Sequence, residues 1–238
     1  MTDSERAYPS ARGINVNFNC GISKCRLVAT PVVVAGLAAW AAAILAGLVT
    51  VSAASMRPGA GAAIASDSHW PEGSDLKRNV DGPTLVMTIH PRCPCTGASL
   101  AELDRVLRES TRVIRTYLLV RTPAVHDATW TETAQTRAAR SIAGAIVLDD
   151  PSGADAARFG ALTSGQVLLY DRDGRLQFSG GVTGARGHAG PNVGSDALAA
   201  HLAGAEGGPS QAEVFGCALF IADDCDANGC NGSPEAPR

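Results

Sequence analysis

HPRCPCTGASLAEL, residues 90–103, is the stretch on which the fold turns. TLVMTIH, residues 84–90, leads into it; it is short, mostly apolar and partly β-branched, which reads as a buried strand. Pro91 closes that strand. Cys93-Pro94-Cys95-Thr96 then opens a helix whose apolar face carries Leu100, Leu103, Val106 and Leu107 at three-and-four spacing. Pro94 suits a first helical position, where the missing N–H costs nothing. A dithiol therefore stands where a strand meets its helix. The first turn of a helix presents unpaired N–H groups and a partial positive charge, which favour a thiolate. Arg92 adds a neighbouring cation, and His90 adds another when protonated.

Downstream, TRVIRTYLLV (111–120) reads as a second strand and WTETAQTRAARSI (130–142) as a helix with Thr131 as its N-cap. AIVLDD (145–150) is a third, short strand, followed by a small helix at DAARFGA. GQVLLYD and RLQFSG form a hairpin around Asp171-Arg172-Asp173-Gly174, with the Asp-Gly pair supplying positive φ. SDALAAHLAG (195–204) is a last helix capped by Ser195 or Asp196. The order is β-α-β-α-β, a short helix, a hairpin and a final α.

That order, with the dithiol at the first strand–helix junction, resembles the thioredoxin fold: α/β, a central mixed sheet flanked by helices. The resemblance covers Asp81 to Gly204. HPRCPCTGASLAEL, SGQVLLYD, GRLQFSGGVTGARGHAG and VFGC are similar to segments of the RedB-type membrane-anchored thioredoxin-like proteins. The resemblance implies a redox protein acting on protein thiols and disulfides, without naming a substrate. On this reading Cys93 attacks a partner disulfide and Cys95 resolves the mixed disulfide, with no cofactor required.

Two departures from the thioredoxin pattern matter. Thioredoxins carry Cys-Gly-Pro-Cys, whereas one residue fewer separates Cys93 from Cys95. A disulfide across so small a ring is strained and more oxidising than a relaxed one. The family also places a proline beside the dithiol, in the loop that docks the substrate chain. Thr163-Ser164-Gly165 stands there in this sequence, which leaves room at the thiols for a metal. His90, Cys93 and Cys95, with His188 from the loop GGVTGARGHAG, form a candidate soft ligand set suited to copper. Copper chaperones of the Sco type also combine two cysteines with a distant histidine, but at Cys-x-x-x-Cys spacing. A structural staple is the third reading of the pair, weakened because closing so short a loop removes little chain entropy.

From Leu27 to Ala54 no residue is charged. About 20 apolar residues suffice to span a bilayer. Arg6, Arg12, Lys24 and Arg26 precede the run and only Arg57 follows closely. The expectation is a single-pass bacterial inner-membrane protein with its N-terminus in the cytoplasm and its C-terminal part in the periplasm. The organisation is then a cytoplasmic leader (1–26), a transmembrane helix (27–54), a Gly/Ser/Pro-rich linker (55–80), the thioredoxin-like domain (81–204) and a cysteine-containing tail (205–238). Net charge is −3 with both signs interspersed, which provides no footprint for nucleic acid. The seven cysteines are an odd number, so they cannot all pair within one chain. In the tail, Cys217 is a candidate third, exchanging thiol, and Cys225 and Cys230 can close a small loop. Asp149, Asp150, Asp171 and Asp173 read as turn residues. Besides a thiol–disulfide oxidoreductase and a copper-binding protein, a non-catalytic interaction module on the same scaffold fits the pattern.

Overall fold

The computed structural model describes residues 31–59, 69–123, 127–205, 208–220, 225–226 and 229–230. It divides into two compact units between Gly47 and Leu48. Helix α1, Pro31–Ser55, has 25 residues and a mean hydropathy of 2.4. At 1.5 Å per residue it is about 37 Å long, enough to cross a hydrocarbon core of about 30 Å. Valine, leucine and tryptophan side chains stand exposed along it, Trp40 and Leu45 among them.

The second unit is built on a five-stranded mixed sheet of order β3-β2-β1-β4-β5. Its strands are β1 (Thr84–Ile89), β2 (Arg115–Thr122), β3 (Ala145–Pro151), β4 (Val167–Tyr170) and β5 (Leu176–Gly180). β1, β2 and β3 pair in parallel, while β4 pairs antiparallel with both β1 and β5. The helices are α2 (Thr96–Glu109), α3 (Ala134–Ser141), α4 (Ala154–Arg158) and α5 (Val193–Ala203). This is the thioredoxin-like α/β arrangement expected from the sequence.

The central strand β1 is buried on both faces, which is why TLVMTI runs apolar without alternation. Leu85, Met87 and Ile89 share one core with Leu100, Leu103 and Val106 of α2 and Leu198 and Leu202 of α5. Val86 joins Tyr117, Leu119, Leu168 and Phe159 on the other face. Trp70 and Leu76, from the stretch read as linker, pack there too. Trp70 meets Phe159 and Tyr170 edge-on, with ring centroids 4.9 and 5.1 Å away.

Several element ends differ from the sequence reading. β2 starts at Arg115, not Thr111, because its partner β1 starts at Thr84, directly opposite. The segment at Trp130 is a short 3-10 turn, Ala128–Trp130, and Thr133 rather than Thr131 caps α3. α5 starts at Val193 because the Asn192 side chain accepts from both Gly194 N and Ser195 N. The hairpin is as expected: Gly174 takes φ +83°, and Asp171 Oδ1 accepts from Asp173 N and Arg175 N.

Residues 208–220 are packed onto this unit. Ser179 N donates to Ser210 O, and Ala212 N donates to Ser179 O, so the chain runs along β5. Beyond that, Leu219 and Phe220 join Ala156 in a small apolar cluster. Further on, Cys225–Asp226 and Gly229–Cys230 pair antiparallel, with Cys225 opposite Cys230.

Candidate functional site

The end of β1 delivers the dithiol. His90 O accepts from Cys93 N, closing a turn, and Cys93 O accepts from Thr96 N. α2 begins only at Thr96, with Cys95 at its N-cap. The expected helix opening at Cys93 and Pro94 is thus corrected: both lie in the turns ahead of it. Cys93 therefore owes its state less to the helix terminus than to side chains around it.

The loop at Thr163-Ser164-Gly165 lies beside these turns, as expected. Ser164 Oγ accepts from His90 N at 2.7 Å and lies 2.7 Å from Thr96 Oγ1. It ties the strand end to the helix start on either side of the cysteines. Thr88 Oγ1 donates to Thr163 O, and Gly165 N donates to Thr88 O at 2.7 Å. Gly165 has φ +90°, and a Cβ there would lie 2.9 Å from Ser99 Oγ. Both facts require glycine.

The other face of the same loop holds the tail. Cys217 O accepts from Ser164 N at 2.9 Å, Thr163 bridges antiparallel to Ala218, and Leu219 N donates to Leu162 O at 2.8 Å. Gly216 passes so close that a Cβ would stand 1.8 Å from Ser164 O. This short ladder carries Cys217 to Cys93. Cys93, Cys95 and Cys217 are all free thiols. Cys93 is the enclosed one, 1% exposed, and the other two are half-buried.

Burial opposes charge on Cys93, but hydrogen bonds from the Cys217 side chain, from Thr96 and from the backbone of Cys217 and Cys95 outweigh it. The Cys93 thiol is held below its ordinary value. Burial pushes the Cys95 thiol up, and the Cys93 charge adds to this. Burial, then Cys93, pushes Cys217 up to about 12. One thiol shifted downward thus neighbours two shifted upward.

The cation beside Cys95 and Cys217 is Arg186, not Arg92. Arg186 opposes the rise at both, and its Nη1 donates to Gly216 O. Arg92 instead stacks 3.7 Å over the Trp130 ring. Sequence reasoning saw Arg186 only as a residue of a glycine-rich loop; a lone cation among glycines was the available signal. Glu102 fixes that loop from α2, its Oε1 accepting from Gly190 N at 2.7 Å.

The candidate metal set is not brought together. His188 is exposed in its loop, and His90 Nδ1 accepts from Arg92 N at 3.2 Å. Among the described residues no three His, Cys, Asp or Glu side chains converge as a ligand group. The His90/Cys93/Cys95/His188 positions thus show no ligand group of three or more, while Cys93 and Cys95 remain neighbouring soft donors. Asp171 serves the hairpin, and Asp150 caps α4 through Asp155 N and Ala156 N. A cleft of about 950 Å³ is lined by Asn79, Arg112, Asp171 and His201 among others, and by none of the three thiols.

No family model and no curated protein matches the chain. Solved structures do. A hypothetical protein from Sinorhizobium meliloti 1021 is 20% identical, with a TM-score of 0.51, covering 67% of this chain and 97% of that one. Its likeness is one of fold. An uncharacterized conserved protein from Geobacillus kaustophilus is 19% identical (TM-score 0.49), covering 64% of this chain and 91% of its own. A SCO1/SenC family lipoprotein from Bacillus anthracis str. Ames is 13% identical (TM-score 0.38), covering 56% of this chain and 95% of its own.

The thiol arrangement predicts a pH signature. Alkylation of Cys93 by iodoacetamide, followed by mass spectrometry, should reach half its maximal rate at a pH below that of an ordinary thiol. Cys217→Ala removes a hydrogen-bond donor to Cys93, so that midpoint should move upward. Stability follows the opposite signs of the shifts. A lowered Cys93 stabilises the fold above the unfolded thiol value and loses that contribution as pH falls through its folded value. A raised Cys217 stabilises the fold below the unfolded value and loses its contribution as pH climbs toward about 12.

Proposed function

We propose that this chain is a membrane-tethered thiol–disulfide oxidoreductase whose nucleophile is Cys93. The observation that carries the reading is the placement of the lowered Cys93 thiol against two protonated thiols, Cys95 and Cys217, at the Ser164 loop. The thiolate attacks one sulfur of a partner disulfide. A Cys93–partner bond forms, the partner's S–S bond breaks, and its other sulfur leaves as a thiolate. The charge on Cys93 is then gone. That charge is part of what holds the neighbouring thiols protonated, so its loss eases their ionisation beside Arg186. A neighbouring thiolate attacks the Cys93 sulfur and releases the partner's second thiol. The partner disulfide is reduced by two electrons and the cluster is oxidised by two.

The RedB-type resemblance agrees with this assignment. α1 serves as the anchor, and the cations ahead of it favour a cytoplasmic N-terminus and a periplasmic thiol domain in a bacterium. That compartment is oxidising, so disulfides are available there as partners.

The test uses the full chain in detergent, reduced, freed of metal and mixed with oxidised glutathione. The reading expects two thiols lost from the chain per glutathione disulfide consumed, with the chain recyclable by a dithiol reductant. A chain whose thiols are unchanged by oxidised glutathione, yet which takes up one Cu(I) tightly, would overturn it.

A further inference from the structure

The Cys-Pro-Cys pair is the obvious disulfide in the sequence, but the structure brings a second thiol, Cys217, to Cys93 as well. Three observations bear on this. First, the segment around Cys217 is fixed by backbone pairing on both sides of the thiol. Ser164 N binds Cys217 O, Thr163 bridges Ala218, and Leu219 N binds Leu162 O. Second, the approach is tight enough that only glycine fits at 216, with Arg186 fastening the Gly216 carbonyl. Third, Phe215, Leu219 and Phe220 are buried, and Phe220 lies 5.5 Å from the buried Arg121 guanidinium. A segment anchored on both sides of a cysteine sets that thiol down in one place, and that place is against Cys93. Cys95 stands at the N-cap of α2 without using its thiol there, and that thiol also hydrogen-bonds Cys93, but a single residue separates the two. A disulfide across so small a ring is strained, whereas the Cys217 ladder brings a thiol to Cys93 from a distant part of the chain.

We infer that Cys217 is the resolving thiol, and that the oxidised form of this chain carries a Cys93–Cys217 disulfide. The inference rests on the exchange reading and names its second thiol. In balanced form, Cys93–S⁻ attacks a glutathione or protein disulfide and expels one thiolate. Cys217 then loses its proton to that thiolate, attacks the Cys93 sulfur and expels the second. The S–S bond of the partner is replaced by one between Cys93 and Cys217. Arg186, between Cys95 and Cys217, offsets the negative charge as Cys217 ionises. A protein partner has to reach Cys93 past the Cys217 segment, so that segment also sets access to the nucleophile.

The disulfide can be located in the full chain in detergent, oxidised with glutathione disulfide, alkylated and digested with trypsin without reduction. Cleavage after Arg92 and Arg105 leaves Cys93 and Cys95 on one peptide, and cleavage after Arg186 places Cys217 on another. The expected product is a cross-link between these two peptides. It should persist in Cys95→Ser and vanish in Cys217→Ser, which should accumulate glutathione on Cys93 instead. A single peptide two mass units lighter, with both cysteines unalkylated and no cross-link, would overturn the inference and leave exchange standing. So would a cross-link that survives Cys217→Ser. Thiols that stay fully reduced in every variant would overturn the inference together with the exchange reading.

Discussion

Cys93→Ser should bring disulfide exchange down to the rate of buffer alone, the largest effect expected of any single side chain here. The reason is chemical. Exchange proceeds through the thiolate, and a serine hydroxyl at the same place neither ionises near neutral pH nor forms a stable bond to sulfur. Cys93 is the one thiol of the cluster held below its ordinary value, while Cys95 and Cys217 are both pushed upward. Neither neighbour therefore replaces it. Cys95→Ser should keep both steps, ending in the Cys93–Cys217 disulfide. Cys217→Ser should keep the first step and stop there, with glutathione held on Cys93, while Cys217→Ala should also slow that step near neutrality, because Cys93 loses a hydrogen-bond donor. Mass spectrometry of rapidly quenched samples reads all of them. Full activity in Cys93→Ser would place the chemistry elsewhere.

The second large effect concerns access. Gly216→Val should release the segment that stands over Cys93. A β-carbon at this position would lie 1.8 Å from Ser164 O, and that neighbour is backbone tied to β1 and α2 through the Ser164 side chain. It has no room to give, so the tail must lift. Two backbone hydrogen bonds are then lost, at Ser164 N and Leu219 N, each worth roughly 0.5–1.5 kcal/mol. If Leu219 and Phe220 also leave their cluster, each gives up about 1.5–3 kcal/mol of burial. The thermal midpoint should fall, and alkylation of Cys93, 1% exposed in the closed arrangement, should accelerate by about an order of magnitude or more. Gly216→Ala makes the same clash with a smaller group and should show a smaller version of both effects. An unchanged alkylation rate in a folded Gly216→Val chain would mean that the tail does not guard the thiol.

What the sequence disclosed follows the range of the interactions involved. β1, the helix after the dithiol and the hairpin at Asp171–Gly174 are written in local chemistry: an apolar run, a three-and-four stripe and a turn glycine. β1 and the hairpin stand where the pattern puts them, and the helix begins three residues later, at Thr96. The Ser164 loop was also legible, but through resemblance to a fold, since nothing in Thr-Ser-Gly itself points to a cysteine 69 residues earlier, at Cys95. The cation was misjudged for the same reason. Arg92 is adjacent in sequence yet stacks on Trp130, while Arg186 arrives through a loop fastened by Glu102. Cys217 could be named as a third thiol from its occurrence alone. Its place at Cys93 depends on pairing between residues 162–164 and 217–219, which no local periodicity encodes. The histidine-containing set is a different case: four residues gathered by their chemistry in the sequence form no ligand group among the described residues.

The central claim is that the thiols around Cys93 form a reversible redox couple. The most direct measurement is the equilibrium redox titration of the full, metal-free chain in detergent across a series of glutathione buffers, with thiol trapping at each point. The account predicts a single reversible two-electron transition that disappears in Cys93→Ser. A Cys93 that stays reduced across the whole series, with no pair ever closing, would contradict it.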